Sequence, residues 1–165
     1  MRLLILSDSH SALNLMRFAV KQVKPQGIIH LGDHFDDGEA LRDDYPYIPM
    51  WQVPGNCDRY RVRPDVPEIL IDRIGGVKFY MTHGHRHNVK MGLWNLMEQA
   101  RQKDAQVVLF GHTHEPYCEY EDEDFLLMNP GSCGYGGGTV GVIEIENKKV
   151  ISCRILGRED LEEFE

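Results

Sequence analysis

Five short polar motifs each follow an apolar run: Asp8-Ser9-His10, Gly32-Asp33, Gly55-Asn56, His83-Gly84-His85 and Gly111-His112-Thr113-His114. Their Asp, His and Asn side chains offer oxygen and nitrogen donors, and seven such donors suffice for two divalent ions that share one carboxylate. A pair of that kind can clamp the attacking and leaving oxygens of a phosphoryl transfer, so the chemistry open to this set is metal-assisted cleavage of a phosphoester.

Donors so far apart in the chain need a frame that gathers them. Each motif follows a strand-like segment, at residues 3–6, 28–31, 50–53, 77–81 and 107–110. If these strands are neighbours, their carboxyl ends collect the motifs at one edge, where sites form in open α/β sheets. After the first strand, Leu15, Phe18, Ala19 and Val23 recur near the helical period, with Ser11 or Asn14 as a cap and Pro25-Gln26-Gly27 as the stop. A short helix is expected over 38–43, and a stronger one through Leu93, Leu96, Met97 and Ala100, with Gln99, Arg101 and Lys103 opposite. From Phe125 onward the pattern turns to strands, at 125–128, 139–145 and 150–156, with a hairpin turn at 146–149. Strand–helix alternation followed by a strand-rich end predicts an α/β sandwich.

With 165 residues, 42% of them hydrophobic, the chain fits one domain, expected over 1–157, followed by an acidic segment at 158–165 read as a solvated tail or frayed helix. The net charge of −8 argues against a broad grip on duplex nucleic acid, although two divalent ions would offset about four negative charges locally. The expected partner is a small phosphorylated substrate or a strand end. The four cysteines, Cys57, Cys118, Cys133 and Cys153, lack zinc-finger spacing, and no signal peptide or long apolar span is present. The expectation is a soluble cytoplasmic protein with reduced thiols, mostly small core residues, and no membrane partner; a homo-oligomer is left open.

In order and interval, the five motifs closely resemble those of the calcineurin-like metallophosphoesterase superfamily, and most nearly its compact single-domain bacterial and archaeal phosphodiesterases. Asn129-Pro130-Gly131-Ser132 resembles a late motif of that group, so the likeness spans nearly the whole chain. The resemblance implies a four-layer αββα sandwich, with two mixed sheets face to face and helices outside. It implies that Asp8, His10 and His114 bind a first metal, that Asp33 bridges, and that Asn56, His83 and His112 complete a second. The ions would be Mn²⁺ or alternatively Fe²⁺, Co²⁺, Ni²⁺ or Zn²⁺. A hydroxide bridging two cations about 3.5–4 Å apart would attack phosphorus in line. Asn56 would also orient the phosphate, and His85 would face the substrate as a hydrogen-bond donor.

One position departs from the pattern. Many superfamily members carry His after Gly-Asn as the acid for the leaving oxygen, whereas Cys57-Asp58 stands here, so that role would fall to His85, Asp58 or water. Arg59, Arg61 and Arg63, if extended, would present one basic edge suited to a second phosphate, with pairing to surface carboxylates as the alternative. Asp36 is read as a partner for a ligating histidine or a plain loop carboxylate, and His30 as a satisfied structural histidine. His34 and His87 are read as loop residues, and Tyr135-Gly136-Gly137-Gly138 as a flexible connection. Gly111 suggests a close backbone approach to something bound. A rival reading from another class is a non-catalytic protein-binding scaffold on the same fold, like the retromer subunit, for which all seven donors would be unnecessary. A superfamily nuclease is disfavoured by size and acidity.

Overall fold

The computed structural model describes all 165 residues. Its elements are β1 (Arg2–Leu6), α1 (Leu13–Val23), β2 (Gly27–His30), α2 (Phe35–Asp44), β3 (Met50–Gln52), β4 (Ile69–Ile74) and β5 (Val77–Thr82). They continue with α3 (Trp94–Gln102), β6 (Val107–Leu109), β7 (Tyr117–Asp122), β8 (Phe125–Asn129), β9 (Val140–Glu146), β10 (Lys149–Leu156) and α4 (Arg158–Glu162). One mixed five-stranded sheet runs β10-β9-β1-β2-β3 and the other β4-β5-β6-β8-β7. With the four helices they make the expected α/β sandwich.

Strand alternation builds the layers. In β1, Leu3 and Ile5 point between the sheets, joining Phe79, Met81, Leu109 and Met128 from the other sheet. Leu4 and Leu6 point the other way, onto Met16, Ala19, Val20 and Val23 of α1. On the far side, Tyr80, Val108 and Leu127 pack against Leu96 and Ala100 of α3. A strand covered on both faces must be apolar at every position, which is why residues 3–6 read as an unbroken apolar run.

Pairing directions decide where the motifs go. β1, β2 and β3 are mutually parallel, as are β5, β6 and β8, so each motif emerges from a carboxyl end. Between loops, Asp8 N–H donates to Gly32 O (2.9 Å) and Gly111 N–H to His83 O (2.8 Å). Backbone bonds thereby fix motif against motif.

Several local expectations change. Neither Ser11 nor Asn14 caps α1, whose N-cap is Ala12; the Ser11 N–H instead donates to Asp37 Oδ2 (2.8 Å). The helix expected over 38–43 begins earlier, at Phe35. β4 and β7 carry no clean alternation because both are edge strands with largely solvated faces. Of the two readings of the acidic segment at 158–165, the helix is found over Arg158–Glu162 as α4, and it is docked rather than solvated, with Leu161 fully buried and Phe164 packed against the α1 side of the core. Reduced thiols are corrected for two cysteines, since Cys118 of β7 and Cys153 of β10 form a disulfide joining the two sheets at one edge. Cys133 is buried as expected and Cys57 is exposed. No helix is long and apolar enough to cross a membrane.

Candidate metal centre

The motif loops turn sharply just past the strands. Asp8, His10, Asp33, His112 and His114 all have positive φ, between 41° and 70°. Non-glycine residues adopt this left-handed backbone at a cost, and its concentration in five of the seven donors marks a site where the surroundings impose the geometry.

The side chains converge. Ligand atoms of Asp8, His10, Asp33 and His114 all lie within 4.8 Å of one another. Asp8 Oδ1 is 3.0 Å from His114 Nε2, and Asp33 Oδ2 is 3.9 Å from His10 Nε2 and 3.6 Å from His83 Nε2. His83 Nδ1–H donates to the Leu31 carbonyl (2.8 Å), which leaves Nε2 to face Asn56 Oδ1 at 3.1 Å. The His112 ring sits 5.1 Å from that of His83. All seven expected donors are therefore in one cluster, with Asp33 between its two halves.

Two buried atoms here have no hydrogen-bond partner, Asp8 Oδ1 and His10 Nε2. A buried carboxylate oxygen left unpaired, with imidazole nitrogens turned toward it, is costly unless a cation completes it. The donors, oxygen and nitrogen without thiolate, fit divalent ions of the Mn²⁺ to Zn²⁺ series.

Residues outside the donor set hold it in place. Asp8 Oδ2 accepts from Ser7 Oγ (2.6 Å) and His112 N–H (3.1 Å), and Ser132 Oγ donates to Asp8 O (2.7 Å). Asn129 Nδ2 donates to Gly111 O (3.1 Å) and Thr113 Oγ1 (2.9 Å), so the late motif braces the last donor loop. Asp58 is fully buried and accepts the N–H groups of Asp33 (2.8 Å), Gly55 (2.8 Å) and Phe35 (2.9 Å). That occupancy removes Asp58 from the candidate acids and makes it the clasp between two donor loops. Gly111 does make a close approach, but to Ser7 and Asp8 of the protein: a Cβ there would lie 2.7 Å from Asp8 Oδ2. Gly111→Ala is accordingly expected to displace that carboxylate and weaken Mn²⁺ binding about 10- to 100-fold by titration calorimetry. Unchanged affinity would show that Asp8 does not need its observed position.

Burial shapes the protonation states. It pushes His112 down to about 4, helped by His83 and Lys90, and it lowers His10 and His85, so these imidazoles stay neutral and free to bind. For Asp33, burial acts against the charge, yet His83, the Cys57 N–H and His10 outweigh it and hold the carboxyl below its usual range. Burial and a hydrogen bond to Asp33 raise the Cys57 thiol to about 11.

His30 is structural, as expected: fully buried, 3.0 Å from Ser9 Oγ and accepting Gly32 N–H at Nδ1. Burial lowers it from 6.5 to about 4, so between those pH values the unfolded chain binds a proton that the folded one refuses. Stability of the metal-free protein should be intact above pH 6.5 and fall as the pH drops from there to about 4, with up to about 3 kcal/mol from this residue. Urea melts at a series of pH values should show a shallower fall in His30→Gln; identical slopes would sink the assignment.

Around the centre, some expectations move. His85 lies at the rim, its Nε2 3.7 Å from Glu68 Oε1. The arginine segment is a turn rather than extended, so no basic edge forms: Arg61 leans on Asp36 (3.6 Å) and Arg63 on Asp65 (3.5 Å). Asp36 thus serves no ligating histidine. His87 is not a loop bystander but is buried, 2.8 Å from Tyr80 Oη, and His34 is the N-cap residue of α2. Tyr135 is more than part of a connection, because its ring stacks on His114 (5.2 Å, 15°) and lies 4.8 Å from His10. Lys90 also lines the donor pocket. Neither residue carries a local sequence signal; only folding brings them there.

The sequence profile of the calcineurin-like phosphoesterase superfamily domain matches residues 1–148. A probable metallophosphoesterase of Bacillus subtilis is 34% identical over 135 residues, covering 80% of this chain and 75% of the relative. A phosphodiesterase of Methanocaldococcus jannaschii is 31% identical over 171 residues, covering 90% and 96%. Among solved structures, a predicted phosphoesterase of Streptococcus pneumoniae superposes with a TM-score of 0.74 at 25% identity, covering 96% of this chain and 90% of that one. Vps29 of Entamoeba histolytica, solved with zinc, gives 0.69 at 20% identity, covering 95% and 99%, a likeness of fold.

Proposed function

The chain belongs to the calcineurin-like phosphoesterase superfamily, and from that premise we propose that it is a two-metal phosphodiesterase acting on a small or nucleotide-like phosphodiester. The observation that carries this reading is the Asp33 carboxylate set between two groups of donors, beside the unpaired Asp8 Oδ1. Asp8, His10 and His114 would hold one ion and Asn56, His83 and His112 the other, with Asp33 shared. Two divalent ions, most simply Mn²⁺, would supply Lewis acidity at the phosphoryl oxygens and a nucleophile at neutral pH.

The protein's own part is placement. Asn56 has an amide Nδ2 whose one contact is a long one to Cys57 Sγ (3.7 Å), leaving it able to donate to a phosphoryl oxygen. His85 at the rim can donate to the substrate. In the overall hydrolysis a water oxygen bonds to phosphorus, one ester P–O bond breaks, and the departing oxygen takes a proton. With a weakly acidic thiol at Cys57, Asp58 engaged by backbone and burial holding His85 toward its neutral form, that proton is left to solvent. Leaving groups that need no proton should therefore fare best.

The test is turnover of bis(p-nitrophenyl) phosphate, p-nitrophenyl phosphate and a dialkyl diester by metal-stripped protein reconstituted with Mn²⁺. Expected is metal-dependent hydrolysis in which the aryl diester exceeds both the monoester and the alkyl diester. Equal rates on aryl and alkyl diesters would remove the argument from the missing acid. Inactivity despite two bound ions would return the scaffold reading.

A further inference from the structure

The donor pocket, of about 320 Å³, sits at the small end of ligand clefts. A larger cleft of about 940 Å³ opens beside it, and Asn56 lines both. Its walls combine apolar side chains, Val62, Val66 and Ile69, with three arginines, Arg59, Arg63 and Arg86. The arginines differ in what they already hold. Arg86 grips Glu68 through two nitrogens (2.9 and 3.4 Å) and Arg63 leans on Asp65 (3.5 Å). Arg59 has no carboxylate partner; its guanidinium carbon lies 5.7 Å from the centre of the Tyr60 ring.

Arg73 and Arg154 likewise lack a carboxylate partner, and of these three guanidinium groups the one that lines the cleft is that of Arg59. Its planar fork matches phosphate oxygens two at a time. It stands three residues beyond Asn56, on the cleft that Asn56 shares with the metal donors. The apolar walls suit a sugar and base, and the free cation suits an anion attached to them.

Resting on the phosphodiesterase reading above, we propose that this cleft seats the nucleoside arm of the substrate and that Arg59 binds a second phosphate on it. The preferred substrates are then nucleotide-type diesters carrying a phosphate beyond the scissile one. Arg61, turned to Asp36, takes no part.

Two chromogenic esters isolate that second phosphate: thymidine 3′-phosphate 5′-(p-nitrophenyl phosphate) and thymidine 5′-(p-nitrophenyl phosphate). Both release p-nitrophenolate and differ only in the 3′ group. With Mn²⁺-reconstituted protein, kcat/KM should favour the doubly phosphorylated ester about tenfold or more, chiefly through KM. The ratio should fall toward one in Arg59→Ala and be partly kept in Arg59→Lys. Because the ratio is internal to each protein, a general loss of activity does not imitate the effect. A wild-type ratio near one, or a ratio unchanged in Arg59→Ala, overturns the proposal. Hydrolysis of bis(p-nitrophenyl) phosphate with neither thymidine ester cleaved also overturns it, while leaving the phosphodiesterase reading intact. Absence of metal-dependent turnover on all three esters overturns that reading, and this proposal with it.

Discussion

Asp33→Asn is expected to lower metal-dependent hydrolysis by about a thousandfold or more while leaving the fold intact. The carboxylate is nearly buried, at 3% exposure, with Oδ1 accepting the Cys57 N–H (2.9 Å) and Oδ2 facing His10 and His83. Its Oδ2 thus faces a donor from each half of the cluster, closer to His83 than Asp8 Oδ1 is (3.6 against 3.9 Å). Asparagine keeps the shape but removes the charge and can turn an NH₂ group toward the cations, so neither half retains its shared anionic oxygen. Calorimetric titration with Mn²⁺ should show the second equivalent lost, and circular dichroism should be unchanged. A variant that still binds two ions and turns over the aryl diester would refute the bridging role.

Asp58 should have a comparably large effect of a different kind. Its buried carboxylate satisfies three backbone N–H groups, from Asp33, Gly55 and Phe35. Asp58→Ala leaves all three without a partner, at about 1–3 kcal/mol each, so a loss of about 3–9 kcal/mol in urea or thermal melts is expected. Asp58→Asn keeps one oxygen acceptor and should fall between. Because Asp33 is a donor and Gly55 adjoins the donor Asn56, both variants should also bind Mn²⁺ more weakly. The pH–rate profile of Asp58→Asn should keep the wild-type shape, since Asp58 donates no proton. Loss of one limb of that profile, with stability unaffected, would restore the acid role considered from sequence.

The donors were legible because short polar motifs after apolar strands are a local pattern, and a strand buried on both faces must be apolar throughout. Two of the four edge strands were not: β4 and β7 meet solvent and need no strict alternation. Asp58 and Cys57 adjoin the same motif in sequence yet differ in use, one turned into backbone donors and the other exposed beside Asp33. Adjacency says nothing of direction. Likewise the three alternating arginines looked equivalent, and only the turn that carries them separated Arg59 from Arg61 and Arg63.

By itself, then, the sequence determined the α/β sandwich and the placement of the polar motifs after strands, because periodicity is a property of short segments, while the selection of seven candidate donors within those motifs came from their resemblance to the superfamily's motifs. The tertiary structure alone decided what depends on contacts between segments distant in the chain. These are the orphaned Asp8 Oδ1, the clasp at Asp58, the stacking of Tyr135 on His114, the joining of Cys118 to Cys153, and the cleft that leaves Arg59 without a partner. Each arises where strands or loops far apart in sequence are packed to within a few ångströms, and no local pattern encodes which side chain faces which.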